Sequence, residues 1–321
     1  MYIEQHCKIN EENKVHSPID IVDDTITRCF FGLRGGHVSG DSDVFRTCLT
    51  RVLGLSLKGL KNACKLNNIC FNDLPRENLI VFCDDFSAHF DMRGYHRASK
   101  SRRGTRLENH YWFGTDFDRW APIDLDSLFS HFDNIFVTNL KSPIVSSSIG
   151  KQLYPIPIGP FPDTDSHSNL VPSENKRHLV LSSFDITHHN REDLNNAIQH
   201  LDYVTHFPPT SLPSRTDFYA MLSEHRFSIC PEGNACDTFR TWESILCNCV
   251  PIVQPSFCMD IFSKIWPMIK MDLYKFDEKL LIKMCKFLMK NPNFQYADTE
   301  LLKQENISAL IKRIKYECDR T

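Results

Sequence analysis

No run in the 321-residue chain approaches 18 consecutive apolar residues, so no transmembrane helix is expected. The N-terminus (Met1-Tyr2-Ile3-Glu4-Gln5-His6) lacks the basic-then-apolar layout of a secretory signal. Surplus positive charge is missing as well. A formal net charge of −3 gives no general attraction to nucleic acid or an anionic membrane, so any polyanion site must be local. There is no GxGxxG fingerprint, no internal repeat and no low-complexity tract. Cysteines at zinc-knuckle spacing are absent: the thirteen are scattered, and Cys247-Asn248-Cys249 has no second pair. Most lie in apolar runs, as Cys83 and Cys230 do, and read as reduced thiols packing as small hydrophobes in a cytosol-like compartment. A soluble protein of the cytoplasm is the expectation, or of the host cytoplasm were the source a virus.

What is present is ordinary for a globular protein, with 41% hydrophobic and 24% charged residues. The length suits two domains. Apolar runs at 25–33, 79–83, 110–113, 134–138 and 154–159 read as strands. Helical spacing begins at Asp43, after a turn holding Gly35 and Gly36. A Pro-, Ser- and Asp-rich tract follows, and then strands and helices alternate again from His178. The division expected is a loose arm over 1–20, a first domain over 21–160, a linker over 161–175 and a second domain over 176–321. Residues 262–271 read as the last strand region, and 277–290 and 299–318 as closing helices. One basic cluster (Arg93, His96, Arg97, Lys100, Arg102, Arg103, Arg106) reads as a solvated loop or an acceptor-binding lid.

The stretch from Phe227 to Val253 carries the most information. Phe227 to Cys230 is a short apolar run closed by Pro231, and Gly233-Asn234 is turn chemistry. Asp237 reads as the N-cap of a helix beginning at Thr238, with Phe239, Trp242, Ile245 and Leu246 on its buried face. Asn248 tolerates the left-handed conformation that ends such a helix. Arg240 and Glu243, three residues apart, project side by side. A loop feeding a helix N-terminus suits a phosphate, Arg240 adds a cationic fork for a diphosphate, and Glu243 can accept two ribose hydroxyls. The competing reading is an exposed helical ion pair worth a few tenths of a kcal/mol.

This stretch resembles the C-terminal signature of exostosin-like glycosyltransferases of the inverting GT-B type, through Pro231, Gly233, Asn234, Asp237, Arg240, Trp242, Glu243, Pro251 and Ile252. It departs from that pattern at Ala235 and Asn248, where glycines are usual, and at Glu232, whose carboxylate could weaken a pyrophosphate contact. The order Thr138-Asn139, then Pro157-Ile158-Gly159, is similar too, and Arg191 matches an arginine that opens a helix and is a phosphate-contact candidate. The resemblance implies an α/β fold with two Rossmann-like domains facing across a cleft. It also implies transfer from a nucleotide sugar, most often a UDP-sugar, to an oligosaccharide or glycoprotein acceptor.

An inverting transfer needs a base to deprotonate the acceptor hydroxyl. Asp118, Asp116, Asp85 and Asp84 all stand at strand ends of the first domain, and the residues alone do not rank them. The resemblance favours Asp118. Cations and a helix terminus would neutralise the leaving diphosphate, so no metal is expected. Two alternatives stay open. Asp116-Phe117-Asp118 could be the manganese-binding Asp-x-Asp of a GT-A enzyme, although Asp41/Asp43 and Asp124/Asp126 repeat that spacing. The chain could also be a carbohydrate- or nucleotide-binding protein that keeps the fold without turnover.

Overall fold

The computed structural model describes residues 19–30, 57–66, 68–82, 111–113, 121–123, 125–143, 145, 149–160, 176–186, 189–207, 214–233, 236–290, 299–303 and 306–321. The chain divides into two compact units, 2–157 and 158–321. Among the described residues no helix is long and apolar enough to cross a membrane.

The first unit is built on a five-stranded sheet. Its strands are β1 (Ile19–Asp23), β2 (Ile26–Phe30), β3 (Asn78–Phe82), β6 (Asn134–Val137) and β7 (Leu153–Pro155), in the order β1-β2-β3-β6-β7. β1 runs antiparallel to β2, and the remaining neighbours are parallel. Leu79, Ile80, Val81, Ile135, Phe136 and Val137 are all fully buried, as strands covered on both faces must be. Helices α1 (Leu57–Leu66) and α2 (Leu125–Phe129) and a single 3-10 turn at Phe71–Asp73 lie in the sheet's connections. Residues 19 and 20, expected in the loose arm, belong to β1, where Ile19 is fully buried. The expected strand at 110–113 also differs. It forms β4 (Tyr111–Phe113) and pairs antiparallel with β5 (Ala121–Ile123) in a sheet of its own. Pro122 stands opposite Trp112, and proline, lacking an N–H, suits such a two-stranded ribbon better than a central strand.

The second unit holds a wholly parallel sheet of β8 (His178–Ser182), β9 (Val204–His206), β10 (His225–Cys230), β11 (Val250–Val253) and β12 (Ile269–Lys270). The order β12-β11-β10-β8-β9 is that of a doubly wound sheet, so the winding reverses between β8 and β10. Successive side chains point to opposite faces. Val180, Phe227, Ile229, Val250 and Ile252 pack on one side with Leu194 and Ile198 of α3 (His189–Ile198) and Leu281 of α7 (Glu278–Lys290). Leu181, Cys247 and Cys249 pack on the other with Phe218, Tyr219 and Leu222 of α4 (Arg215–Glu224).

Residues 262–271 are not one strand. Ser256 caps helix α6 (Phe257–Phe262) by accepting from the Met259 N–H, and only Ile269–Lys270 is extended. Helix α5 (Phe239–Leu246) precedes α6, and α8 (Ile307–Cys318) closes the chain. Asn248 has φ 54°, the left-handed turn that ends α5. The buried Lys176 ammonium then ties two helix ends together, donating to the Ser223 carbonyl at 2.6 Å and the Cys247 carbonyl at 2.8 Å. Nine of the ten described cysteines are buried thiols, and burial pushes Cys230 up to about 11 and Cys285 to about 12. Such thiols stay protonated and pack as hydrophobes.

Candidate functional site

In a parallel α/β unit each helix runs back against the strands, so helix N-termini gather at the carboxyl edge of the sheet. Arg191 lies in the first turn of α3, Arg215 opens α4 and Arg240 is the second residue of α5. All three line one cavity of about 410 Å³, together with Ser183 and Phe184 after β8 and Pro231 after β10. The cavity therefore sits where the sheet's winding reverses, the usual ligand crevice of this architecture. A cation in the first turn of a helix opposes the helix dipole. Three such placements around one cavity break a local rule together, which is expected where a ligand supplies the compensating negative charge.

Each arginine is held. Arg240 donates through Nε to Glu243 Oε2 at 3.2 Å and through Nη1 to the Ser183 carbonyl, and its guanidinium lies 4.0 Å from the Phe218 ring centroid. Arg215 Nη1 donates to Glu243 Oε1 at 2.8 Å. Arg191 donates to the carbonyls of Glu232 and Asp185, both at 3.0 Å, and of Pro231 at 3.4 Å. That pins the loop after β8 to the loop after β10, while burial lowers the arginine's pKa from its ordinary value. Gly233 makes room for the pin, since a Cβ there would stand 3.0 Å from Arg191 Nη2. Ser183 is 1% exposed, and its Oγ has no hydrogen-bond partner among the described residues.

Glu243 and Arg240 are not an exposed helical pair. The Glu243 side chain is 1% exposed and that of Arg240 17%. Spacing along α5 could not reveal that α4 lies over them, bringing Arg215, Phe218 and Tyr219, whose hydroxyl donates to Glu243 at 3.3 Å. Glu232 is not among the described residues that line the cavity, and its Oε2 accepts from the Tyr274 hydroxyl at 3.1 Å. Thr238 lines the cavity and holds the N-cap position of α5 with extended backbone and no side-chain cap bond.

Asp237, expected as that N-cap, does something else. It is buried, accepts from Trp242 Nε1 at 2.7 Å and from the Ile158 N–H at 2.9 Å, and so anchors the start of α5 to the first residues of the unit. Burial outweighs those hydrogen bonds and pushes its carboxyl up to about 7. A carboxyl raised this far favours the protonated native state: the penalty is absent below about pH 4 and complete above about pH 7. Stability of the wild type relative to Asp237→Asn should therefore fall, on the order of 2 kcal/mol, between pH 5 and pH 8. Urea midpoints of both proteins at the two pH values give that difference directly, and a constant gap would show that the carboxyl does not titrate there.

Asp85, Asp116, Asp118, Asp84 and Asn234 lie outside the described residues, as does the basic cluster from Arg93 to Arg106. Of the expected ligand-binding residues, Arg191, Pro231, Thr238 and Arg240 line the cavity directly. Gly233 and Asp237 support it, and Glu243 lies beneath its arginines. Sequence reading passed over Arg215, Phe218 and Ser183. Arg215 was detectable in principle: it is an arginine in the first turn of a helix that leads into a parallel strand, as Arg191 and Arg240 are.

No family model matches the chain, and neither does any curated protein. Among solved structures, the GtfA/B complex is similar over 82% of this chain at 10% identity, with a TM-score of 0.32. The match covers 59% of that structure's chain, and a likeness this faint decides neither fold nor function.

Proposed function

We propose that residues 158–321 hold a nucleotide-sugar donor by its diphosphate and that the chain is an inverting glycosyltransferase of GT-B type. The observation that carries this reading is the convergence of Arg191, Arg215 and Arg240 on one cavity at the sheet's switch point. The diphosphate would lie among these cations, and the Ser183 hydroxyl stands ready as a further polar contact. The signature resemblance from Pro231 to Ile252 supplies the substrate class, with a UDP-sugar the donor it implies and an oligosaccharide or glycoprotein the acceptor.

In the proposed reaction a carboxylate (Asp118, with Asp116, Asp85 and Asp84 the other candidates) takes the proton of the acceptor hydroxyl. The acceptor oxygen then bonds to the anomeric carbon from the face opposite the diphosphate. The bond from that carbon to the phosphate oxygen breaks, and the diphosphate leaves with the electron pair. Arginines fixed in place before the reaction stabilise that charge without reorganising. The chemistry needs no metal, so turnover should survive EDTA.

A panel of UDP-, GDP- and CMP-sugars tests the proposal by hydrolysis and by thermal shift. A ligand at 100 times its dissociation constant adds about 2.7 kcal/mol of stability, a readily measured shift. Stabilisation and slow hydrolysis with a UDP-sugar, unaffected by EDTA, are expected. No stabilisation by any donor would remove the transferase reading. Stabilisation without turnover would favour a binding protein, and turnover lost to EDTA and restored by manganese would move the assignment to Asp116 and Asp118.

A further inference from the structure

Glu243 has the residue type and the position to take ribose hydroxyls, yet its surroundings leave it little to offer a ligand. Its side chain is 1% exposed. Oε1 accepts from Arg215 Nη1 at 2.8 Å and from the Tyr219 hydroxyl at 3.3 Å, and Oε2 accepts from Arg240 Nε at 3.2 Å. Both oxygens are therefore engaged by protein donors. Those donors come from two helices, α4 and α5, which also meet where the Arg240 guanidinium lies over the Phe218 ring.

We propose that Glu243 is a positioning residue: it aims Arg215 and Arg240 jointly at one diphosphate and takes no ribose hydroxyl. The proposal rests on the diphosphate reading of the cavity. Two guanidinium groups repel one another, and a single buried carboxylate between them holds both in fixed orientations. Arg240 is bound at Nε by Glu243 and at Nη1 by the Ser183 carbonyl, and its Nη2 has no partner among the described residues. That edge is the one available to an anion. Arg215 is 37% exposed and reaches the cavity from the neighbouring helix, so it becomes a second phosphate ligand that the signature stretch does not contain.

The two roles of Glu243 separate experimentally, because only one depends on the sugar ring. Calorimetry with UDP, 2′-deoxy-UDP and inorganic pyrophosphate is run on the wild type, Glu243→Gln, Arg215→Ala and the double variant. Glu243→Gln keeps the shape but turns an amide N–H toward an arginine. It should weaken all three ligands alike, by roughly 10-fold or more, and leave the ratio of UDP to 2′-deoxy-UDP affinity as in the wild type. Arg215→Ala should weaken all three alike as well. The double variant should be no weaker than the product of the single effects and closer to the worse single, since Glu243 acts through Arg215. A loss of stability alone would not produce that coupling in pyrophosphate affinity.

A Glu243→Gln protein that binds pyrophosphate normally and has lost only its preference for the 2′-hydroxyl would overturn the proposal and restore the ribose role. Should Glu243→Gln fail to fold, Arg215→Ala decides, and unchanged affinity for UDP and pyrophosphate overturns the proposal. A wild type that binds none of the three ligands removes both this proposal and the donor-site reading. A wild type that binds them with Arg215 irrelevant removes this proposal alone.

Discussion

Trp242→Ala is expected to destabilise the protein by about 3–5 kcal/mol, the range for emptying a large buried aromatic site. Trp242 is fully buried and meets Phe262 and Trp266 edge to face, with ring centroids 5.2 and 5.1 Å apart. Such pairs are favoured by the ring quadrupoles and add to simple burial. The indole also donates to Asp237 at 2.7 Å, so truncation strips a donor from a buried carboxylate. Trp242→Phe keeps most of the packing and loses only that bond, at an expected cost of about 1–3 kcal/mol. Urea unfolding of both variants checks the order. A loss below about 1 kcal/mol for the alanine variant would contradict the packing described.

Arg240→Ala should weaken UDP binding roughly 10- to 150-fold, which corresponds to losing a charge-assisted contact of about 1.5–3 kcal/mol. The change removes the bond to the Ser183 carbonyl, the stacking on Phe218 and one of the two cations beside Glu243. Some stability goes with it, since a buried carboxylate is left with fewer donors. Arg240→Lys should recover little, because one ammonium cannot span Glu243 and Ser183 while stacking on Phe218. Calorimetry with UDP, alongside urea melts to separate binding from folding, reads both effects. Unchanged UDP affinity in a folded Arg240→Ala protein would take Arg240 out of the site.

Much of the second unit was legible because its elements are set by local pattern. The apolar run before Pro231, the helical spacing from Phe239 to Leu246 and the strand from Val250 to Val253 appear where the residues place them. Asn248 takes the left-handed turn its side chain tolerates. What the pattern could not show is long-range. Asp237 has the chemistry of an N-cap, but one N–H that it accepts from belongs to Ile158, 79 residues earlier. Arg240 and Glu243 have the spacing of a surface pair, and only the path of α4 buries them. The short helix from Phe257 to Phe262 was missed because an apolar run of that length fits a strand as readily, and the Ser256 cap decides it. The strand at Tyr111–Phe113 was recognised, but its partner was not, since pairing depends on a ribbon that closes with Ala121–Ile123.

The most direct test of the central claim is the hydrogen-exchange footprint of a UDP-sugar on the intact wild-type chain. Protection should concentrate in peptides covering 183–191, 214–219 and 231–243, the segments after β8, at the start of α4 and across the β10–α5 turn. Inorganic pyrophosphate should reproduce most of it. Saturable binding with protection elsewhere, and none in these three segments, would contradict the account.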